Sequence, residues 1–398
     1  MESELQHHVD ALAVRLNRPA MVEDRGQRVL SYSPQTGTVD RLRVDSILHR
    51  ETAVEVVEWY KQFGISRATE PVRLGANPEL GILARVCVPI AYRGMALGFL
   101  WLIDADGSMD DSEVASAVAA SHSMGLAIYR QSLIDKQATY DLRNLLSANP
   151  RLQATAAQRL VDSEVFVDVG LVVAMVVAPC GLQHPQIAEA TSTVEDALRI
   201  AQREAPPRHA LSLVRQDHGV LLLAMGSLNA RRLAEKLAGA ATNSRHSSSQ
   251  GLNFVVGVGE PVSLRNASAS YAQARQAARL AGSLPELGPV ADWATLGVFR
   301  ALLQLPTDEL RSTILDPRLV KLLESQASEV LTPTLEVYLD LAGDVQHTAM
   351  KVGVHRATLY YRLNRIEELT GASLSNGHDR LAFHVGLKIA RFADLYRW

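Results

Sequence analysis

Apolar positions in the first part of the chain follow a helical spacing and then a strand-like one. The opening segment repeats apolar side chains three or four residues apart, which is the spacing of one helix face. Two short apolar runs then flank Asp24-Arg25-Gly26, and this arrangement predicts a β-hairpin. A helical stretch over residues 45–63 follows. The apolar positions of the first helix are Leu5, Val9, Leu12 and Leu16.

A second hairpin is predicted in the stretch RVCVPIAYRGMALGFLWLID. Its strands cover residues 86–92 and 95–103, and its turn lies at Arg93-Gly94. A further helix begins near residues 110–112, where acidic side chains favour a helix N-terminus. Residues 1–130 are therefore predicted to form an α+β domain of the size of a sensor module.

Helical pattern then continues from Ser112 to about Leu146 with few breaking residues. One interpretation is a single connecting helix of roughly 50 Å, which would transmit a signal and form a dimer seam. The other is a pair of helices with a break near Ser132. Asn149-Pro150 is predicted to close this segment, so residues 112–150 form the connecting and dimerisation element.

Between residues 152 and 284, strand-like apolar runs alternate with helical segments in the order βαββαβα. The first strand is predicted within residues 165–179, and a hairpin turn is expected at residues 216–219. This alternation predicts an α/β sandwich built on one sheet. Residues 285–328 contain four prolines and are predicted to be a linker with short helices.

Residues 329–398 are predicted to form an all-α domain. Thr332 suits the N-cap of its first helix and Pro333 the first helical position. Asp344 then caps a short helix, and Gly353 allows a sharp turn into a longer basic helix that ends before Gly371. A short helix, a glycine turn and a longer basic helix form the outline of a helix-turn-helix.

The longer helix divides its residues between packing and contact. Leu359, Leu363 and Ile366 fall on one face and would hold the helix against the domain. All ionised side chains between residues 345 and 366 are positive, whereas Glu367 and Glu368 lie just beyond. Phosphates and guanine edges would meet these cations. The predicted DNA-binding residues are Thr348, His355, Arg356, Thr358, Tyr361, Arg362 and Arg365.

Composition limits the other function classes. The formal net charge of the 398-residue chain is only -3, so a nucleic-acid surface must be local. Cys87 and Cys180 are expected to be small buried side chains, because two distant cysteines build neither a disulfide framework nor a zinc site. The sequence motifs identify no catalytic residue, metal site or cofactor. The longest apolar stretch is too short for a bilayer, so we expect a cytoplasmic protein without a membrane partner.

The stretch VHRATLYYRLNRIEELTG closely resembles the recurrent string of the PucR/CdaR family of bacterial transcription regulators, approximately VHxNTLxYRLxRIExLTG. Two positions depart from that string. Ala357 stands where the family usually has asparagine, and Tyr360 where a basic residue is common. These departures imply a different operator sequence and leave the DNA-binding role intact.

Two further stretches resemble known domains. NFVVGVGEP followed by SYAQARQAARLA resembles the GGDEF-like middle domain of these regulators, and the VPI-x-x-x-G-x-x-x-G-x-L stretch resembles a GAF domain, a sensor of small molecules. Active cyclases of the GGDEF fold carry two glycines and a carboxylate cluster on a hairpin turn. Here the corresponding RQDHGVLL retains only Asp217, so we expect no enzyme.

The resemblances imply a sequence-specific regulator of transcription that binds double-stranded DNA as a homodimer or higher homo-oligomer. The GAF-like domain would sense a small-molecule effector or another signal, and the regulator would often activate catabolic or nitrogen-metabolism genes. Two alternatives remain open from the residues alone. One is an enzyme of cyclic-dinucleotide chemistry, and the other is a nucleotide-binding adaptor whose C-terminal domain recruits a protein.

Overall fold

The computed structural model describes residues 4–180, 187–226, 229–243, 253–297, 299–303 and 316–392. The chain divides into two compact units, with the boundary between Gln137 and Ala138. The predicted fold class is confirmed. The first unit combines helices with one β-sheet, and the second combines helices with another β-sheet and ends in an all-helical region. Among the described helices, none combines the length and apolarity needed to cross a bilayer.

The first unit is built on an antiparallel sheet of order β2-β1-β5-β4-β3. Both predicted hairpins are present in it. Its elements are α1 (Glu4–Leu16), β1 (Ala20–Asp24), β2 (Val29–Tyr32), α2 (Arg41–His49), α3 (Val54–Gln62), β3 (Val72–Leu74), β4 (Arg85–Tyr92), β5 (Met95–Ile103) and the start of α4 (Asp111–Leu145).

Strand alternation gives this sheet two apolar faces, because successive side chains point to opposite sides. Val86 and Leu100 face a core shared with α1 and α4. Cys87 and Trp101 face the other core, which α2 and α3 cover through residues such as Tyr60. Cys87 is buried, as predicted, whereas Cys180 is only partly buried.

Two helical predictions in this part of the chain are refined. The stretch predicted over residues 45–63 is two helices, because Arg50 adopts a left-handed conformation, with φ of 57°, and ends α2. Of the two interpretations of the long segment, the continuous one is observed. Helix α4 runs through Ser132 without a break and spans 35 residues.

The second unit begins with a sheet of order β10-β9-β6-β8-β7. Among the described strands, only β10 and β9 are parallel, and the described helices pack on both faces in two apolar cores. The elements are α5 (Pro150–Asp162), β6 (Val172–Cys180), α6 (Ile187–Glu204), β7 (Ala210–Val214), β8 (Gly219–Ala224), α7 (Ala230–Thr242), β9 (Asn253–Val258), α8 (Ala267–Ser283), β10 (Val290–Asp292) and the short α9 (Phe299–Leu302).

Three boundaries of this sandwich differ from prediction. Asn149-Pro150 opens α5 and does not close a segment, since the Asn149 side chain accepts from the Arg151 N–H at 3.0 Å and proline suits the first helical position. Strand β6 starts at Val172, seven residues later than the apolar run suggested. Residues 290–292, assigned to the linker, extend the sheet as β10. Part of that linker, residues 304–315, lies outside the described residues.

The C-terminal helices pack around one apolar core. They are α10 (Pro317–Leu323), α11 (Ser328–Asp340), α12 (Val345–Val352), α13 (Arg356–Thr370) and α14 (Gly377–Phe392).

The predicted start of the first of these long helices, α11, is wrong. The helix begins at Ser328, and Pro333 lies inside it. Proline lacks the backbone N–H that would bond the carbonyl four residues earlier. That carbonyl belongs to Glu329, which is an exposed residue. The Thr332 hydroxyl bonds the Ser328 hydroxyl at 3.0 Å within the helix and does not cap it.

Candidate nucleic-acid interface

The helix-turn-helix is fixed by a cap at each of its four helix ends. The Asp344 carboxylate accepts from the His347 N–H at 2.9 Å, and that bond holds the pKa of Asp344 below its usual range. Gly353, with φ of 70°, ends α12. The His355 ring nitrogen Nδ1 accepts from the Ala357 N–H at 3.3 Å and starts α13. Gly371, also with φ of 70°, ends it.

One face of α13 is anchored in the domain core. Leu359 and Ile366 are fully buried, and Leu363 is nearly so. These three side chains share a core with Ala349 of α12 and Phe383 of α14. The predicted seam is therefore confirmed, and it fixes which residues of α13 point away from the domain.

The opposite face of α13 is exposed and carries most of the predicted DNA-binding residues. Tyr361 is the most exposed aromatic residue of the helix, with 71% of its surface accessible. Arg356 has no ion-pair partner among the residues that the structure describes. The exposed members of the predicted set are His355, Arg356, Thr358, Tyr361 and Arg365.

Two predicted contact residues have other roles in the structure. Thr348 is fully buried, and its hydroxyl donates to the Asp344 carbonyl at 2.5 Å, so it stabilises the first turn of α12 and is unavailable to DNA. Arg362 is half-buried, and its Nη1 donates to the Thr334 hydroxyl of α11 at 3.1 Å. The burial of Thr348 could not be predicted from charge and spacing alone.

Two exposed side chains on α12 and α13 lie outside the predicted contact set. Met350 on α12 is 63% exposed and Tyr360 on α13 is 55% exposed. Tyr360 adjoins the predicted residue Tyr361, and Met350 lies two residues after Thr348. Single exposed apolar residues are common on protein surfaces, so exposure alone assigns neither side chain to the interface.

Both glutamates at the end of α13 are engaged by neighbouring groups. The Glu367 carboxylate accepts from the Leu374 N–H at 2.6 Å in the loop after the helix. Glu368 pairs with Arg365 at 2.8 Å. The first half of α13 thus carries only positive ionised side chains, as the charge pattern predicted, whereas Arg365, Glu367 and Glu368 follow in its second half.

A buried charge cluster joins this domain to the end of the middle domain. The Lys388 ammonium on α14 donates to Glu336 at 2.9 Å, to Asp340 at 3.0 Å and to Glu286, just beyond α8, at 2.8 Å. The three carboxylates are the one group of the described residues with metal-ligand spacing. Lys388 and Arg391 already pair with them, so the cluster is an ion-pair network.

The hairpin turn between β7 and β8 has the predicted position. The Asp217 carboxylate bonds the His218 ring at 2.7 Å, and the other ring nitrogen lies 2.9 Å from the Tyr271 hydroxyl. Asp217 is thus the only carboxylate that the turn itself contributes. One carboxylate engaged by an imidazole does not provide the oxygen-rich site that a nucleotide-bound magnesium ion needs.

Comparison with known proteins agrees with these observations. Residues 331–389 match the model of the PucR C-terminal helix-turn-helix domain, and residues 168–280 match that of the GGDEF-like domain. The proline-responsive transcriptional activator PutR of Bacillus subtilis is 21% identical over 98% of this chain and 97% of its own. The carbohydrate diacid regulator of Escherichia coli is 52% identical over 11% of each chain.

Among solved structures, a regulator of polyketide synthase expression from Bifidobacterium adolescentis aligns with 65% of this chain and 99% of its own, at 20% identity and a TM-score of 0.27. The family assignment depends instead on the two matched domain models, the full-length relative and the helix-turn-helix described above. The chain is a DNA-binding transcription regulator of the PucR/CdaR type.

Proposed function

We propose that this regulator reads its operator with the exposed face of α13 and changes its DNA affinity when the N-terminal unit binds a small molecule. Operator recognition is supported by the contrast between the two faces of α13. Its apolar seam is buried, whereas its opposite face presents two arginines and two hydroxyl groups to solvent, those of Arg356, Arg365, Thr358 and Tyr361. A helix anchored in this way fits the major groove of DNA.

The exposed residues suit different parts of a DNA site. Arg356 lies in the first turn of α13, where recognition helices contact base edges, and its guanidinium can bond guanine in a bidentate manner. Tyr361 and Arg365 lie further along the helix and suit phosphate oxygens. His355 and Thr358 flank Arg356 and complete the proposed contact set. Ala357 offers no polar group there, so the operator would differ from those of asparagine-bearing relatives.

We propose that the protein binds as a homodimer or larger homo-oligomer. One helix-turn-helix contacts only a few base pairs, and dimers gain specificity by reading two half-sites. Helix α4 is the proposed dimerisation element. Its residues Leu133, Ile134 and Tyr140 are each about half exposed, and large apolar side chains on a long helix are typical of a helix–helix seam.

The sensor role is supported by the α+β architecture of the first unit and by a relative. PutR, which aligns over nearly its full length, is named as proline-responsive and as an activator. We therefore propose a small-molecule effector for the first unit and activation of catabolic genes, both in the cytoplasm where the chromosome lies. We propose no catalytic role.

Genome-wide mapping of bound DNA tests this proposal. Cells would carry the tagged wild-type protein, an Arg356→Ala variant or an Arg231→Ala variant. Arg231 is an exposed arginine on α7, remote from α13 in sequence, and serves as the matched control. We expect discrete bound sites upstream of genes for wild type and the control, and loss of most sites for Arg356→Ala. Equal occupancy by all three proteins would contradict the proposed contact face.

A further inference from the structure

Four ionisable side chains are buried in the first unit, beneath α2 and α3. Glu23 and Arg85 are 1% exposed, Asp40 is 6% exposed and Arg43 is fully buried. Burying charge costs free energy unless each group finds an opposite charge and enough hydrogen bonds. The partners of each group therefore show whether the network is complete.

Three of these groups are well satisfied. Arg85 pairs with Asp40 and also donates to the Tyr60 hydroxyl at 3.2 Å and the Leu83 carbonyl at 3.1 Å. The Glu23 carboxylate accepts from Trp101 Nε1 at 2.7 Å and from the Thr52 hydroxyl at 2.6 Å. Asp40 in addition caps α2 by accepting from the Arg43 N–H at 2.9 Å.

Arg43 is the incomplete member. Its Nη2 donates to the Trp101 carbonyl at 3.2 Å and its Nη1 to Gln35 Oε1 at 3.3 Å. Its Nε is buried and has no hydrogen-bond partner. Both acceptors are neutral and both bonds are long, and within the described residues no carboxylate forms an ion pair with this guanidinium.

The charge balance around Arg43 is also incomplete. Burial raises the pKa of Glu23 to about 7, so that carboxyl is partly neutral at physiological pH. Asp40 is committed to Arg85. Two buried guanidinium groups therefore face little more than one full negative charge, and the deficit lies at Arg43.

The group in front of Arg43 belongs to an exposed loop. Gln35 lies in the segment between β2 and α2, where residues 36–38 are exposed, and its amide nitrogen is held by the Ser33 carbonyl at 2.6 Å. A carboxylate oxygen in place of this amide oxygen would form a stronger hydrogen bond with Arg43, because a guanidinium–carboxylate pair is charge-assisted and bidentate. The Gln35 side chain therefore links the buried guanidinium to an exposed segment of the chain.

We propose that Arg43 anchors the effector of the sensor unit by its carboxylate, and that the effector displaces the Gln35 side chain. The ligand class is a small organic acid or amino acid with a free carboxylate. This inference rests on the proposed sensor function and names its site.

The test uses the full-length protein, thermal unfolding and calorimetric titration. The probes are acetate, pyruvate, succinate, L-alanine and L-valine, each compared with its amide. The variants are Arg43→Gln, Gln35→Glu and the control Arg41→Gln, which removes an exposed arginine from the same helix. In Gln35→Glu the chain supplies its own carboxylate to Arg43.

We expect at least one carboxylate, and not its amide, to bind the wild type and Arg41→Gln. Gln35→Glu should melt at a higher temperature than the wild type without ligand and should bind that carboxylate at least about tenfold more weakly, a loss typical of a displaced charged hydrogen bond. The organic acids and amino acids in the panel distinguish the two ligand sources. Binding of no carboxylate, or equal binding by Gln35→Glu and wild type, would overturn the proposal.

DNA binding measured on the same samples separates this inference from the proposed function. If DNA binds but no carboxylate does, the Arg43 site is wrong and the DNA-binding role stands. If a carboxylate binds at Arg43 but leaves DNA affinity unchanged, the site stands and the proposed control of DNA binding is wrong.

Discussion

Arg362 of α13 donates a hydrogen bond to the Thr334 hydroxyl of α11 at 3.1 Å. Thr334 is fully buried, and its own hydroxyl donates to the Val330 carbonyl at 2.7 Å. The side chain that a basic helix would be expected to offer to DNA is therefore used to hold that helix against the domain.

Replacing Arg362 should act on stability more than on phosphate contact. Arg362→Ala is expected to lower the free energy of unfolding by about 1–2 kcal/mol, since a hydrogen bond from a charged donor at a half-buried site is lost. Its slope of log affinity against log salt should change by less than the roughly one unit expected for a true phosphate contact. Denaturant unfolding and DNA titration in several salt concentrations measure both quantities. A full unit of slope lost without loss of stability would return Arg362 to the contact set.

The turn glycines should differ in their tolerance of a side chain. Gly353 has φ of 70°, and a Cβ added there would meet no heavy atom within 4 Å. Gly353→Ala should therefore cost only the backbone strain, about 1 kcal/mol. Gly343 has φ of 85°, and an added Cβ would lie 2.6 Å from Arg380 Nη2. Because that atom ends a flexible side chain, Gly343→Ala should cost only slightly more than Gly353→Ala in thermal unfolding, by the displacement of Arg380 from its place over the Tyr338 ring. The reverse order would show that the turn around Gly343 relaxes freely.

Glu23 should make stability depend on pH in an uncommon direction. Burial raises its pKa from 4.5 to about 7, so the folded state holds a proton that the unfolded state releases across that range. The contribution of this pKa shift to the free energy of unfolding is fully present below pH 4.5. It is lost as the pH rises towards 7, and the total loss is about 3 kcal/mol. Relative to the wild type, Glu23→Gln should therefore gain stability between about pH 5 and pH 8. Urea unfolding at both pH values measures this gain, and the exposed Glu58→Gln serves as control. An equal difference at both pH values would contradict it.

The Lys388 cluster should respond very differently to loss of its two kinds of member. Lys388→Met leaves the fully buried Glu336 without its ammonium partner and should destabilise the second unit by about 3–5 kcal/mol. Glu286→Gln removes a carboxylate that is 40% exposed, and should cost about 1 kcal/mol or less. Calorimetry of the full-length variants compares the two. Similar losses would show that Glu286 contributes as much as the buried pair.

Sequence pattern predicted the parts of the structure that depend on local spacing. The seam of Leu359, Leu363 and Ile366 and the caps at Asp344, Gly353 and Gly371 follow from helical periodicity and turn chemistry. It failed where tertiary packing decides. Pro333 lies within α11 because buried neighbours extend the helix past it, despite the preference of proline for a first turn.

The buried polar residues were the least predictable features. Thr348 and Arg362 are of residue types that commonly contact DNA, and only the packing of α11 and α12 shows that they face inward. The network of Glu23, Arg43 and Arg85 joins residues far apart in sequence, and no spacing rule connects them. Such networks require the coordinates of the strands and helices that bring them together.

The most direct test of the central claim is the salt dependence of DNA binding by the exposed face of α13. Duplexes would be selected from a random library with the full-length protein, and their affinity measured by fluorescence anisotropy over a range of salt concentrations. We predict an enriched sequence, and a slope of log affinity against log salt that falls by about one unit in Arg356→Ala and stays unchanged in Arg231→Ala. Failure to enrich any duplex, or an Arg356→Ala slope equal to that of the wild type, would contradict the account.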